Sequence, residues 1–191
     1  FECGKGAKYD DVNNIKHDYA IINPIFLEHT RELGETIEEI AEDKSHVITG
    51  EQKCIYVADQ KLSVLKIIQN RAEILNVPVK IYGRDFRADN IRYTRDGMIF
   101  DVIIGEAVYS DIIIPLLGEH QAKNCALALA LCKDVLEDKN LAEEKDRLGK
   151  QSLSEEKNKL GKKSLSEEIN KLEDRKLLKI KDNLFELWYN Y

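Results

Sequence analysis

The sequence is poor in residues that punctuate or staple a chain: three prolines, one tryptophan, one methionine and four cysteines among 191 residues. The cysteines, Cys3, Cys54, Cys125 and Cys132, form no C-x-x-C pair, which argues against a zinc ribbon or a redox dithiol. They are expected to be free, buried thiols in a reducing compartment, with Cys125 and Cys132 both facing a core. The chain shows no signal peptide and no apolar run long enough to span a bilayer, so the expected location is the cytoplasm. It starts at Phe1 rather than Met and is expected to be a piece of a longer polypeptide. The pattern G-x-x-x-x-G-K-[ST] occurs nowhere, so Gly4-Lys5-Gly6 is not a phosphate loop of that kind.

Basic residues are also in deficit, 29 against 35 acidic, and the imbalance is local. From Leu136 to Tyr191 there are 13 of each sign, so the net −6 belongs entirely to residues 1–135. A negative domain is a poor partner for nucleic acid or an acidic membrane. If it handles a polyanion such as a nucleotide, it does so with backbone N–H groups, a metal and a few cations. Hydrophobic residues, at 43%, suffice for a packed core.

Along the first part, strands and helices alternate. Asp18–Asn23 is a short apolar run ended by Pro24. Thr36-Ile-Glu-Glu39 has the form of a capping box, with Ile37, Ile40, Ala41, Lys44 and Ile48 following at helical spacing. Lys53–Ala58 is read as a second strand. Leu62, Leu65, Ile68, Ala72 and Leu75 mark a helix face, and Val79–Tyr82 a third strand. This order predicts an α/β domain with a mainly parallel sheet. Beyond Asp85 the pattern turns to alternation: Ile91 and Tyr93, then Met98, Phe100 and Val102 about Arg95-Asp-Gly97, a hairpin. Ile112–Leu117 is a further strand, completing a small antiparallel meander, and Gln121–Leu136 an Ala/Leu-rich helix. The expected domains are 1–135 and 136–191. The second carries a 12-residue repeat: LEDKNLAEEKDR, LGKQSLSEEKNK, LGKKSLSEEINK, LEDRKLLKIKDN. Twelve residues turn a helix about 120° beyond whole turns, so the leucines spiral and make no heptad seam. Either short helices broken at Gly149 and Gly161 or one exposed helix accommodates this tail.

Three stretches carry the chemistry: E-C-G-K-G-A-K-Y-D-D-V-N from Glu2 to Asn13, L-E-H-T-R-E-L-G-E-T-I-E-E-I-A-E-D-K-S-H-V from Leu27 to Val47, and G-E-H-Q-A-K-N-C-A-L-A-L from Gly118 to Leu129. Taken singly, each residue has an ordinary explanation. A lone Glu2 is a solvated side chain, a lone His29 or His120 lacks partner ligands, Lys44 is a snorkelling helix lysine and Asn124 is a helix-start residue. In order and spacing together, over about residues 1–134, they resemble the folylpolyglutamate synthase and dihydrofolate synthase branch of the Mur-ligase-like enzymes.

The resemblance implies a partial Mur-ligase central domain and an ATP-dependent ligase. The γ-phosphoryl of ATP passes to a carboxylate of folate or dihydropteroate, and the amine of L-glutamate attacks the acyl phosphate. It implies ATP and Mg²⁺ as cofactors, with Glu2 and His29 as metal ligands and Lys44 as a CO₂ adduct supporting a second metal. Carbamylation needs the neutral amine, so a buried Lys44 with a lowered pKa is expected. Lys44 and His29 are then the catalytic pair. His120, Gln121 and Asn124 are assigned to the nucleotide, and Gly4, Gly6, Asp10 and Asn13 to a loop beside the substrate. A monomer without nucleic-acid or membrane partners is expected.

Four departures stand out. Glu28 replaces an aspartate, Ala7 a glycine whose position could demand positive φ, Lys5 an apolar residue, and Ser45-His46 an Ala-Gly pair where small residues leave room. With no phosphate loop and with the repeats where a C-terminal domain is expected, the chain alone is expected to have little or no ligase activity. Two other readings remain open at this point: a non-catalytic, decayed ligase domain acting as a scaffold, and a Mur-type cell-wall amino-acid ligase.

Overall fold

In the computed structural model the backbone is described for residues 1–152 and side chains as far as residue 144. The chain divides into two units, Phe1–Ala130 and Leu131–Tyr191. The repeats after Ser152, and the expectation of a helix break at Gly161, lie outside the described residues.

The first unit opens with a loop ending in a 3₁₀ turn, Asp11–Asn14, followed by β1, Tyr19–Ile22. A single-turn helix α1, Thr30–Leu33, leads to α2, Ile37–Ser45; β2, Cys54–Val57, precedes α3, Leu62–Ile74, and β3, Val79–Ile81. The three strands form a parallel sheet in the order β1-β2-β3, with Tyr19 opposite Cys54, Ile22 opposite Val57 and Ile55 opposite Val79. Parallel strands must be reached by crossovers, and α2 and α3 supply them. Their apolar faces bury Ile40, Ala41, Val64, Ile68 and Ala72 against Ala20, Ile22, Ile55 and Val57. Here the expected α3 face is corrected: Leu62 is exposed and Val64 takes its place, because Leu62 opens the first turn, before the helix has reached the core.

The capping box at the start of α2 is present. Thr36 Oγ1 accepts from Glu39 N (3.2 Å), while Glu39 Oε2 accepts from Thr36 N (3.0 Å) and Glu35 N (2.7 Å), so the orphan donors of the first turn are satisfied. At the other end, Ile48 lies past the helix yet is fully buried.

A turn at Tyr82–Asp85 passes the chain to an antiparallel meander of β4, Phe86–Thr94, β5, Gly97–Ile104, and β6, Ala107–Ile114. Asp85 Oδ2 receives Ile81 N (2.7 Å) and its carbonyl receives Gly105 N (2.9 Å), stitching the two sheets at the junction. Phe86 seals it. Its ring lies 6.4 Å from Tyr56 of β2 and 5.8 Å, edge-on, from Tyr82. The hairpin turns at Arg95-Asp96, as its alternation predicts, with Tyr93 opposite Met98. Gly97 is at φ +146°, where a Cβ would run into the Ile114 carbonyl, with the Pro115 Cα at 2.8 Å. β6 begins five residues earlier than Ile112, because Gly105-Glu106 makes a two-residue turn.

The last described element, α4, runs from Glu119 to Ser152. It starts two residues before the expected Gln121 and continues through Gly149, so the chain does not break there. Its first turns bury Ala122, Ala126, Leu129 and Ala130. Cys125 and Cys132 are half-buried rather than enclosed, and none of the four cysteines is in a disulfide. No helix among the described residues is long and apolar enough to cross a membrane.

Candidate functional site

The loop before β1 is built on two acceptors and a glycine. Asp10 takes Val12 N and Gly4 N, each at 2.9 Å, and these two backbone donors, Val12 first, hold its carboxyl below the usual carboxylate range. Asp43, in the last turn of α2, takes Ala7 N at 2.8 Å and Lys8 N at 3.4 Å. The loop passes α2 so closely at Gly6 that a Cβ there would overlap Asp43 Oδ1, with Leu33 Cδ2 at 2.6 Å. Asn13 Nδ2 donates to the carbonyls of Ala7 and His46, and its buried Oδ1 has no partner. Gly6, Asp10 and Asn13 are therefore fixed by the loop's own architecture. Gly4 has only Asp10 near its vacant Cβ position, at 3.8 Å.

Two of the sequence departures are harmless in this setting. Ala7 is buried and is not among the residues at positive φ, so its methyl group costs no strain. Ser45 is fully buried, its Oγ donating to Glu42 O (2.7 Å); His46 Nδ1 lies 2.9 Å from the same carbonyl. The side chains at 45 and 46 thus close the end of α2 rather than crowd it.

Seven residues beyond β1, His29 takes φ +50° and ψ +38°, a left-handed conformation that costs an L-residue roughly 1–2 kcal/mol. The other non-glycine residues at positive φ are Asn76, Asn90 and Asp111, and Asn, Asp and His are the side chains enriched there. Strain of this kind gathers at functional sites. Its carbonyl accepts Glu32 N and Leu33 N at 3.0 Å, while its exposed imidazole makes no capping bond.

Beside it, Glu28 Oε1 lies 2.8 Å from Lys44 Nζ, the side chains being 44% and 25% exposed. The Lys44 hydrogen bond keeps the Glu28 carboxyl below its ordinary range. Lys44 therefore departs from expectation. It is half-buried, and the interior position at the end of α2 belongs to Ser45. As an ammonium paired with Glu28 it has no lone pair to offer a metal or CO₂, so the role implied by the resemblance requires this pair to open.

Burial pushes the Cys3 thiol up, the charge of Asp10 adds to this, Lys44 opposes it, and Asp43 and Glu2 add smaller upward effects. Lys5 reaches Glu32 at 2.8 Å, so the lysine that replaces an apolar residue ties the loop to α1. Residues 5–8, 28–32 and 43–44 thus meet in one region, with Glu2 three residues before the first of them. Among the described residues no three His, Cys, Asp or Glu side chains are grouped to hold a metal ion. Glu2 and His29, both exposed, bring one oxygen and one nitrogen donor.

The third stretch lies at the start of α4. Gly118, at φ +108°, makes the entry turn, and its Cβ position would meet the His120 ring. His120 is exposed; Gln121 and Asn124 are half-buried in the first turns, where free backbone N–H groups favour an anion. The residue that ties this end down is Lys123. Its Nζ is 2.6 Å from Asp59 Oδ2 and 5.6 Å from the centre of the Tyr82 ring, and the Asp59 hydrogen bond raises its pKa. Sequence reasoning passed over Asp43, Asp59 and Lys123. Asp43 and Lys123 sit inside the second and third motifs, but neither they nor Asp59 gave a signal of their own. His29, Asp59 and Tyr82 follow β1, β2 and β3, so both groups gather beyond the carboxyl ends of the parallel strands, where open α/β sheets bind ligands.

Residues 1–132 match the family described as Mur ligase middle domain. A dihydrofolate synthase/folylpolyglutamate synthase of Mycobacterium tuberculosis is 31% identical over 134 residues, covering 68% of this chain and 28% of that protein. Among solved structures, a mutant of L. casei FPGS superposes with a TM-score of 0.65 at 24% identity, over 70% of this chain and 32% of the other. The M. tuberculosis folylpolyglutamate synthase complexed with ADP and AMPPCP gives 0.61 at 30% identity, over 67% and 30%. The chain thus spans about a third or less of the length of each of these proteins.

Proposed function

Because the chain belongs to the Mur ligase middle-domain family, we propose that it is the central part of an ATP-dependent ligase that joins L-glutamate to a carboxylate of folate or dihydropteroate. The observation that carries this reading is the meeting of residues 5–8, 28–32 and 43–44, which come from two separate motifs of the folate branch, at the carboxyl edge of the sheet. In this reading the γ-phosphoryl of ATP is transferred to the substrate carboxylate with loss of ADP. The glutamate amine then attacks the acyl phosphate, phosphate departs, and an amide remains.

Phosphoryl transfer needs positioning and positive charge more than covalent chemistry from the protein. Glu2 and His29 are the donors for Mg²⁺, which would neutralise charge on the phosphoryl oxygens. Lys44 serves either as the ammonium it is when paired with Glu28 or, once that pair opens, as the carbamylated third ligand. The start of α4, with His120, Gln121 and Asn124, faces the nucleotide, and the loop carrying Gly4, Gly6, Asp10 and Asn13 borders the acceptor. We place the enzyme in the cytoplasm as a monomer without nucleic-acid or membrane partners, residues 1–135 forming the ligase part and 136–191 the repeat tail. One observation favours the competing reading, a non-catalytic domain: the Glu28–Lys44 pair, which occupies the lysine.

Titration of the 191-residue chain with Mn²⁺, followed by electron paramagnetic resonance, tests the assignment. One site is expected, with nitrogen coupling from His29, and Glu2→Gln and His29→Ala should each abolish it. A parent chain that binds no Mn²⁺, or variants that bind as the parent does, would refute the metal site.

A further inference from the structure

The loop holding Glu2 and the helix holding Lys44 are joined through a residue that the proposed chemistry does not use. Asp43 takes two successive backbone N–H groups, Ala7 at 2.8 Å and Lys8 at 3.4 Å, on a single carboxylate oxygen. The approach is built into both partners, since only glycine at position 6 lets the backbone come so near that oxygen. Asn13 makes a second tie, from the Ala7 carbonyl to the His46 carbonyl just beyond α2. Upstream, Gly4 is held by Asp10. From Gly4 to Asn13 the loop therefore has few ways to move once Ala7 is fixed, and Glu2 lies two residues before this clamped stretch. Downstream in sequence, Asp43 is followed by Lys44, whose ammonium reaches Glu28 beside His29.

We infer that Asp43 is a positioning residue, which fixes the Glu2 loop against the Glu28-His29 and Lys44 side of the site through its hydrogen bonds to Ala7 and Lys8. The inference deepens the metal-site reading above, but its geometry does not depend on a metal being bound. A hydrogen bond to an ionised acceptor changes the equilibrium for local opening by roughly ten- to a hundredfold, so its loss should be visible as loop opening without general unfolding.

Cys3 is the reporter, half-buried in the same loop, and Cys54, buried in β2, is the internal reference. Pulsed alkylation with iodoacetamide on the full chain, read by mass spectrometry, gives both rates. In Asp43→Ala the rate at Cys3 should rise by about tenfold or more while that at Cys54 stays at the parent value. Asp43→Asn keeps a carbonyl oxygen for the Ala7 N–H and should return Cys3 to within about threefold of the parent, a rescue that a purely electrostatic role would not give. Gly6→Ala should mimic Asp43→Ala by forcing the two surfaces apart, and combining the two should add nothing. It carries the same test if Asp43→Ala does not fold.

The inference is overturned if Cys3 keeps its parent rate in both Asp43→Ala and Gly6→Ala. It is equally overturned if Asp43→Asn behaves as the alanine variant, or if Cys54 accelerates together with Cys3. Mn²⁺ titration of the same proteins separates the two ideas: a site weakened by Asp43→Ala and kept by Asp43→Asn supports both. A parent chain without any Mn²⁺ site but with the expected Cys3 pattern removes the metal reading and leaves the positioning role standing.

Discussion

Phe86 is where truncation should have its clearest effect. It is 2% exposed, opens β4, and brings its ring to Tyr56, itself fully buried under the parallel sheet, and to Tyr82. Phe86→Ala removes the apolar burial of the ring and leaves a cavity between two sheets whose backbones are already committed. The cost is about 3–5 kcal/mol, of which the two aromatic contacts account for roughly 0.5–1.5 kcal/mol each. Against a typical domain stability of about 5–15 kcal/mol, that is a large share. The loss also has a direction. Tyr82 would lose its edge-on neighbour, and with it the surface on which Lys123 rests at the start of α4. Urea denaturation followed by circular dichroism gives the total. Hydrogen exchange at Ile55–Val57 and Phe100–Val102 shows whether the parallel sheet and the meander still open together. The expected result is a loss in the stated range with the two sets of amides no longer equally protected. A loss below about 1.5 kcal/mol with the two sets still coupled would refute the view that this ring joins the sheets.

Gly97→Ala should unfold the meander or shift the pairing of β5 with β6, because its Cβ meets backbone that cannot yield; amide shifts at Ile112–Ile114 would report it, and an unchanged spectrum would contradict the steric argument. Glu28→Gln should cost only about 0.2–1 kcal/mol at pH 7, since both members of the pair are partly exposed. The folded Glu28 carboxyl titrates below its unfolded value, so its contribution is present above the ordinary carboxylate pKa and disappears as pH falls through the folded one. The difference between parent and variant should therefore close in acid, and a gap that widened in acid would reverse the assignment. The chain alone, lacking the G-x-x-x-x-G-K-[ST] pattern, should release no ADP from ATP in the presence of folate and glutamate; measurable turnover by a sensitive coupled assay would overturn that expectation.

The parallel sheet was legible because its strands are short β-branched runs, Ala20-Ile-Ile22 and Ile55-Tyr-Val57, and because Thr36 and Glu39 announce α2 by a local hydrogen-bonding device. β6 was half hidden: its first residues, Ala107-Val-Tyr-Ser-Asp111, show no polar–apolar alternation, and only pairing with β5 makes them a strand. The burial of Lys44 was misread for a related reason. Helical periodicity from Ile37 to Ile48 places it on the inner face, but α2 ends at Ser45 and Ile48 reaches the core by another path. Glu2, His29, Lys44, His120, Gln121 and Asn124 were picked out by the resemblance to the folate branch rather than by a local physical signal. Asp43 and Asp59 were not, since an acidic side chain on a helix or after a strand looks solvated until a distant segment, here Ala7 or Lys123, is folded onto it.

The left-handed backbone at His29 offers a way to weigh its ring apart from its peptide unit. Glycine there would relax the main chain, so by the folding criterion alone it is the better choice at that position. A library selected for stability should therefore drift toward glycine at position 29, and, if the proposed function holds, one selected for turnover should hold histidine. The gap between the two outcomes would measure what the imidazole contributes to that proposed role, with the shape of the chain held constant.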